Sequence, residues 1–255
     1  MIAEKRVSAV SDQERDRMRE SPPGKPVMRQ TWLDLVFVHY PLEPGLVQKR
    51  LPPGLTVDIF PDESGREMAW MGIVAFRIQG IRLLGLPSLP GLSAFNEINV
   101  RTYVHLDGKE PSVYFFSLDG GPWPTRVSGR LWYKVNYCKA DVRQEREGLE
   151  LSYVSQRPKG GAACKIDCRK LPLSGPAGKG TLERFLTDRY QLYSFDGKRL
   201  WKARVSHAPY ELGGLVSYAC TDLPEASGFP VERFTHACWC PKVEAAFYAP
   251  TLAAL

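Results

Sequence analysis

Twelve residues, FNEINVRTYVHL from Phe95 to Leu106, alternate between two chemistries, and this pattern limits the fold more tightly than any other stretch. Ile98, Val100, Thr102, Val104 and Leu106 fall on one side of an extended chain, and Glu97, Asn99, Arg101, Tyr103 and His105 on the other. A period of two marks a β-strand, because successive side chains leave an extended backbone on opposite faces. In an open antiparallel sheet the polar face would meet solvent. In a closed barrel it could line an interior cavity. Periodicity alone leaves both open.

Asp107-Gly108 follows this strand and turns the chain back into PSVYFFSLD, since glycine accepts the positive φ that a tight hairpin needs. The same signal at Asp196-Gly197 predicts a two-residue turn between YQLYSF and KRLWKARVSH. Across the whole chain 21 prolines and 22 glycines mark off short segments without an internal repeat, which favours a mainly β fold with a few short helices. TWLDLVFVHYP and MAWMGIVAFRIQGI read as strands, LGLPSLPGLSAF as a loop, and PLEPGLVQKRLPPGL as a helical turn ended by Pro52-Pro53. Leu182, Phe185, Leu186 and Tyr190 follow Thr181 at helical spacing, predicting an amphipathic helix over about 181–191. Residues 1–27 carry no apolar stripe and end in SPPGKP, so they read as a flexible arm before one domain spanning 28–255.

Lysine and arginine exceed the acids by 34 − 28 = +6, but the basic residues are scattered and no nucleic-acid motif frames them. The first 20 residues are charged throughout and no run of 18 apolar residues follows, so neither a signal peptide nor a membrane helix is expected. The expectation is a cytoplasmic protein without nucleic-acid or membrane partners. No dinucleotide fingerprint or nucleophile elbow is present, and GPAGKGT (175–181) departs from the phosphate-loop spacing, so no cofactor is expected.

Lys134 and Lys139 are the natural nucleophile candidates. A lysine that forms an imine must be neutral, which requires burial or a neighbouring cation to bring its pKa from about 10.4 towards 7. Arg130 is close enough in sequence to act on Lys134; without such help both lysines are surface residues. His207 shares a strand side with Trp201, Ala203 and Val205, where it is either a core histidine or a general acid–base. Cys164 and Cys168, and Cys238 and Cys240, match structural zinc spacing poorly, so packing is expected and no metal.

Through TWLDLVFVHYPLEPGLVQKRLPPGL, FNEINVRTYV, FFSLDG and FLTDRYQLY...VSHAPYEL, the chain from about Trp32 to Tyr248 resembles a YqjF-like bacterial family of uncharacterised proteins, carrying a domain of unknown function within the acetoacetate decarboxylase-like superfamily. The resemblance implies an antiparallel β-barrel with the polar face of 95–106 turned into its cavity. Acetoacetate decarboxylases carry a glutamate on the similar strand, then a Gly-Arg pair, then Pro-Lys-Lys, whose first lysine forms the Schiff base. Laid on that pattern without gaps, Glu97 matches the glutamate and Gly129-Arg130 the pair, while Tyr137 and Cys138 fall where the lysines would be. Asn136 replaces the proline, and a slip of three residues would put Lys134 in the nucleophile's place. Arg29 lies near the position of the decarboxylases' carboxylate-binding arginine.

The resulting expectation is a protein that binds a small carbonyl or carboxylate compound, with oligomeric state open. Glu97 would act as acid or base and Tyr137 as hydrogen-bond donor, in lyase or isomerase chemistry without a covalent intermediate. Asn99, Arg101, Tyr103, Arg130 and His207 would contact the ligand. The alternatives are a non-catalytic sensor or carrier and a Schiff-base decarboxylase using Lys134.

Overall fold

The long periodic runs in the first half of the chain become long strands, and one long strand and a short hairpin from the second half close them into a ring. The computed structural model describes residues 9–83, 94–216, 222–230 and 233–254, so the expected loop at 84–95 lies almost wholly outside the described residues. Strand β1 (Met28–Leu42) is followed by the short β2 (Thr56–Val57) and β3 (Ile59–Pro61), and then by β4 (Glu67–Leu83), β5 (Phe95–Leu106) and β6 (Lys109–Gly120). After β7 (Tyr137–Cys138) come β8 (Asp141–Glu147), β9 (Glu150–Gln156) and β10 (Ala163–Gly175). The chain ends with β11 (Gln191–Phe195), β12 (Leu200–Ser206), β13 (Leu212–Val216), β14 (His236–Phe247) and β15 (Thr251–Leu252).

β1 runs antiparallel between β14 and β4, β4 pairs with β5, and β5 with β6. β6 joins β11 in parallel through Val113 and Tyr114 opposite Leu192 and Tyr193. β11 pairs with β12, which returns to β14 through Val205 opposite Phe247 and Ser206 opposite Ala246. The ring β1–β4–β5–β6–β11–β12–β14 is therefore closed.

A branch, β13–β10–β9–β8, leaves the ring at β14 and lies against its outside. Ile98 and Val100, fully buried, share a core with Tyr153, Ile166 and Cys168 of this branch. Each such aliphatic side chain contributes about 1.5–3 kcal/mol by leaving water, so the dry face of β5 is held outward by the second layer. Its polar face looks into the ring, which resolves what periodicity left open.

The turn at Asp107-Gly108 forms as expected, with both residues at positive φ (49° and 74°). The second hairpin is displaced by one residue. Phe195 pairs with Leu200, and Asp196 N donates to Arg199 O, so Gly197-Lys198 occupies the turn. Asp196 instead closes the turn from its first position, its carboxylate accepting from Lys198 N at 3.0 Å and Arg199 N at 2.8 Å.

Two expectations about helices need correction. The helix placed at about 181–191 is only α4 below, Leu182–Thr187, because Asp188 leaves the helical region (ψ 76°) and Gln191 already belongs to β11. The arm expected to stand free is docked from residue 9 onward: helix α1 (Asp12–Arg19) buries Met18 and Arg15. Charge docks it in place of an apolar stripe. Arg15 reaches Asp58 at 2.8 Å, Arg19 pairs with Asp188, and Asp16 pairs with Arg184. The remaining helices are α2 (Pro44–Gln48), α3 (Trp123–Ser128), α4 (Leu182–Thr187) and α5 (Leu223–Ala226), with a π-helical turn at Gly129–Tyr133 continuing α3. Among the described residues no helix is long and apolar enough to cross a membrane.

Candidate active site

Every strand of the ring contributes to one interior cavity of about 590 Å³, with Trp32, Phe76, Leu118, Leu192, Val205 and Phe247 among its walls. α3 and the π-helical turn cover one side through Pro124, Gly129, Trp132 and Tyr133. Against this apolar wall β5 presents three polar side chains, Glu97, Asn99 and Arg101, at successive inward positions. All three are buried.

Glu97 and Tyr137 meet inside this cavity, the phenol donating to Glu97 Oε2 at 2.5 Å. Asn99 Nδ2 donates to the other carboxylate oxygen at 3.3 Å. The contact is built locally. Glu97 faces Gly120 across the β5–β6 ladder, and β7 adds Tyr137 in parallel opposite Leu118. Arg130 Nε then fixes the strand by donating to the Tyr137 carbonyl at 2.7 Å. Gly129 makes room for the ring, because a β-carbon there would come within 2.6 Å of Tyr137 Cδ2.

Burial raises the Glu97 carboxyl to about 7, against the opposing hydrogen bonds from Tyr137 and Asn99 and with a further upward push from the charge of Asp119. Burial and the adjacent Glu97 hold the Tyr137 phenol well above its ordinary value, so it stays protonated. The pair thus combines a carboxyl that gains or loses a proton near neutrality with a donor that keeps its own. Gly129→Ala is expected to displace the Tyr137 ring, remove its hydrogen bond and lift the Glu97 carboxyl above about 7, as read from the carboxyl carbon shift in a pH titration by NMR. An unchanged titration would mean that the ring is not seated by Gly129.

Several residues singled out from the sequence lie elsewhere. Lys134 is outside the cavity lining, held in the left-handed region (φ 55°) with its ammonium donating to the Leu131 carbonyl and lying 5.8 Å from the Trp201 ring centre. Lys139 and Arg29 are exposed. Arg130 is also exposed and serves the Tyr137 backbone. Tyr103 is buried beyond the cavity, bonded to His39 Nε2 at 2.7 Å. His207 is a core histidine, its Nδ1 2.8 Å from the Ala208 carbonyl, its ring stacked on Tyr190, and its pKa lowered by burial. Cys164 and Cys168 pack in one core cluster, and Cys238 and Cys240 in another.

Arg189, Gln191 and Tyr210 line the cavity without having been expected there. Arg189 lies in FLTDRYQLY, where a charge interrupting an apolar run was the available signal.

A family model described as DUF2071, uncharacterized conserved protein, matches residues 29–251. The uncharacterized protein YqjF of Bacillus subtilis (strain 168) is 34% identical over 193 residues, covering 75% of this chain and 77% of that protein. Among solved structures, acetoacetate decarboxylase from Legionella pneumophila is similar with a TM-score of 0.65 at 13% identity, covering 97% of this chain and 98% of that one. The enduracididine biosynthesis enzyme MppR, in a structure with bound HEPES buffer, is similar with a TM-score of 0.63 at 14% identity, covering 92% and 91%. These structures share the overall fold of this chain. The chain belongs to the DUF2071 family of uncharacterized conserved proteins and is folded as an acetoacetate decarboxylase-like, mainly β structure.

Proposed function

We propose that the protein binds a small carbonyl- or carboxylate-bearing molecule inside its barrel and acts on it as a lyase or isomerase by acid–base chemistry, without a covalent intermediate. One observation carries the reading: a buried carboxyl raised to about 7 is bonded to a protonated phenol within a mostly apolar cavity. Glu97 would take a proton from carbon beside a carbonyl and return it at another position. Tyr137, moving from the carboxylate to the substrate oxygen, would donate to the negative charge that develops there. Both side chains are buried, which limits the competition of water for that hydrogen bond.

MppR, which shares the fold, has been solved in complex with pyruvate, and this supports a carbonyl acid as the kind of molecule such a barrel accepts. An imine route through Lys134 lacks support, because its ammonium is turned away to the Leu131 carbonyl. The reading keeps the protein in the cytoplasm, without a nucleic-acid partner and without a required cofactor.

The test is deuterium exchange. Ketones and keto acids of graded size are incubated with the protein in deuterated water, and label next to the carbonyl is followed by NMR. Glu97→Gln is expected to lower the exchange rate by about 10²–10⁴-fold, and borohydride to leave no reduced adduct on any lysine. A trapped lysine, or exchange indifferent to Glu97, would sink the proposal. Tight binding without exchange would favour the carrier reading instead.

A further inference from the structure

Two guanidinium groups reach the cavity, and neither has all its donors satisfied. Arg101 is 9% exposed and Arg189 is 6% exposed. Arg189 Nε donates to the Phe185 carbonyl at 2.8 Å and Nη1 to Asp58 at 2.7 Å, while Nη2 has no partner among the described residues. Arg101 is less well provided for. Its Nε has no partner, its Nη2 lies 3.5 Å from the Leu186 carbonyl, the Tyr103 hydroxyl is its side-chain hydrogen-bond partner, and no ion pair among the described residues includes it. The two cations lie against one ring, their central carbons 5.7 and 4.8 Å from the centre of Tyr103. A buried guanidinium is costly unless an anion and hydrogen bonds compensate it. Both guanidinium groups line the cavity and Arg101 has no carboxylate to balance it, an arrangement suited to a ligand's carboxylate.

The cavity is otherwise mostly apolar, and its volume of about 590 Å³ is that of a site for a drug-sized molecule, not for a three- or four-carbon acid. The position of the cations adds a ruler. Arg101 is four residues beyond Glu97 on the same strand, so their Cα atoms are about 13 Å apart. Arg101 leans farther away, towards Tyr103, and the charge that acts on Glu97 is that of Asp119. A carboxylate on Arg101 therefore lies several carbons from a carbonyl beside Glu97 and Tyr137. In a β-keto acid one carbon separates the two groups, too few to reach both.

We propose that the ligand is a monocarboxylate with an extended apolar body, its carboxylate held by Arg101 and Arg189 at one end of the cavity and its reacting carbonyl several carbons away beside Glu97 and Tyr137. This deepens the function proposed above and rests on it only for the placement of the carbonyl; the anchoring of the carboxylate stands on the arginines alone.

Calorimetry of the full-length protein with straight-chain carboxylates from acetate to dodecanoate, their methyl esters, pyruvate and acetoacetate tests it without requiring turnover. Affinity is expected to rise roughly three- to fourfold per added methylene until the cavity is filled. The esters should bind at least tenfold more weakly than the acids. Arg101→Gln should lose about 10- to 100-fold, with Arg101→Lys recovering part of the loss. Lys134→Gln, outside the cavity lining, should leave carboxylate affinity within about threefold, because the head group is held elsewhere. The proposal is overturned if affinity is flat with chain length, if acetoacetate or pyruvate binds as tightly as decanoate, if esters match acids, or if Lys134→Gln abolishes carboxylate binding. The ester comparison uses the unmodified protein, so a variant that fails to fold leaves the test intact. Failure of the acid–base reading would look different: carboxylates would bind as described while Glu97-dependent deuterium exchange stayed absent.

Discussion

Asp58→Asn is expected to destabilise the protein by about 3–5 kcal/mol, measured by urea unfolding at neutral pH. Asp58 has no exposed surface, and its carboxylate holds Arg15 at 2.8 Å and Arg189 at 2.7 Å, themselves nearly without exposure. Removing the charge leaves two buried cations with a neutral amide between them, the situation in which breaking a buried pair is most costly. The effect should also be shared. Replacing Arg15 by Met in the Asp58→Asn background is expected to add less destabilisation than it does alone, because one stranded cation has then gone. A loss below about 1 kcal/mol for Asp58→Asn would show that water or rearrangement neutralises this cluster. The same carboxylate links α1 to the cavity, since Arg15 belongs to the helix and Arg189 to the cavity wall.

Glu97→Gln is expected to make the protein more stable at pH 8, by about 3 kcal/mol, while leaving it nearly unchanged at pH 4. Folding raises the Glu97 carboxyl from 4.5 to about 7, chiefly through burial. The folded state therefore binds this proton more tightly than the unfolded chain. The resulting stability is fully present below about pH 4.5, declines as pH rises, and is gone once pH passes about 7. Glutamine keeps the size of the side chain and an acceptor for Tyr137 but has no proton to lose, so its stability lacks this decline. The comparison is a pair of unfolding free-energy curves from pH 4 to 8. Parallel curves would mean that Glu97 titrates as an ordinary carboxyl, and the acid–base proposal would lose its foundation.

The strand that carries the site was the most legible part of the sequence. Alternation from Phe95 to Leu106 assigned Glu97, Asn99 and Arg101 to one face, but it could not give depth: Tyr103 and His105 share that face and lie beyond the cavity. The meeting of Glu97 with Tyr137, 40 residues apart, followed from the family resemblance and not from any local pattern. Arg189 was hidden because Leu182, Phe185, Leu186 and Tyr190 satisfy a helical period, whereas the chain leaves the helix at Asp188. The docking of α1 was invisible for another reason. Ion pairs such as Arg15 with Asp58 impose no periodicity, so a search for an apolar stripe passes over them. Lys134 could be judged only in three dimensions, since its left-handed backbone and the direction of its ammonium follow from the π-helical turn before it.

The closure of the ring is uneven. β1 is laddered along most of its length to β4 and β14, whereas the β11–β12 hairpin joins its neighbours through two residue pairs at each seam, with β6 and with β14. Cooperative opening costs least where few backbone bonds must part together. The barrel's compliance is thus concentrated in the hairpin that brings Gln191, Leu192 and Val205 to the cavity. Local opening at this hairpin leaves the long ladders bearing Glu97 intact.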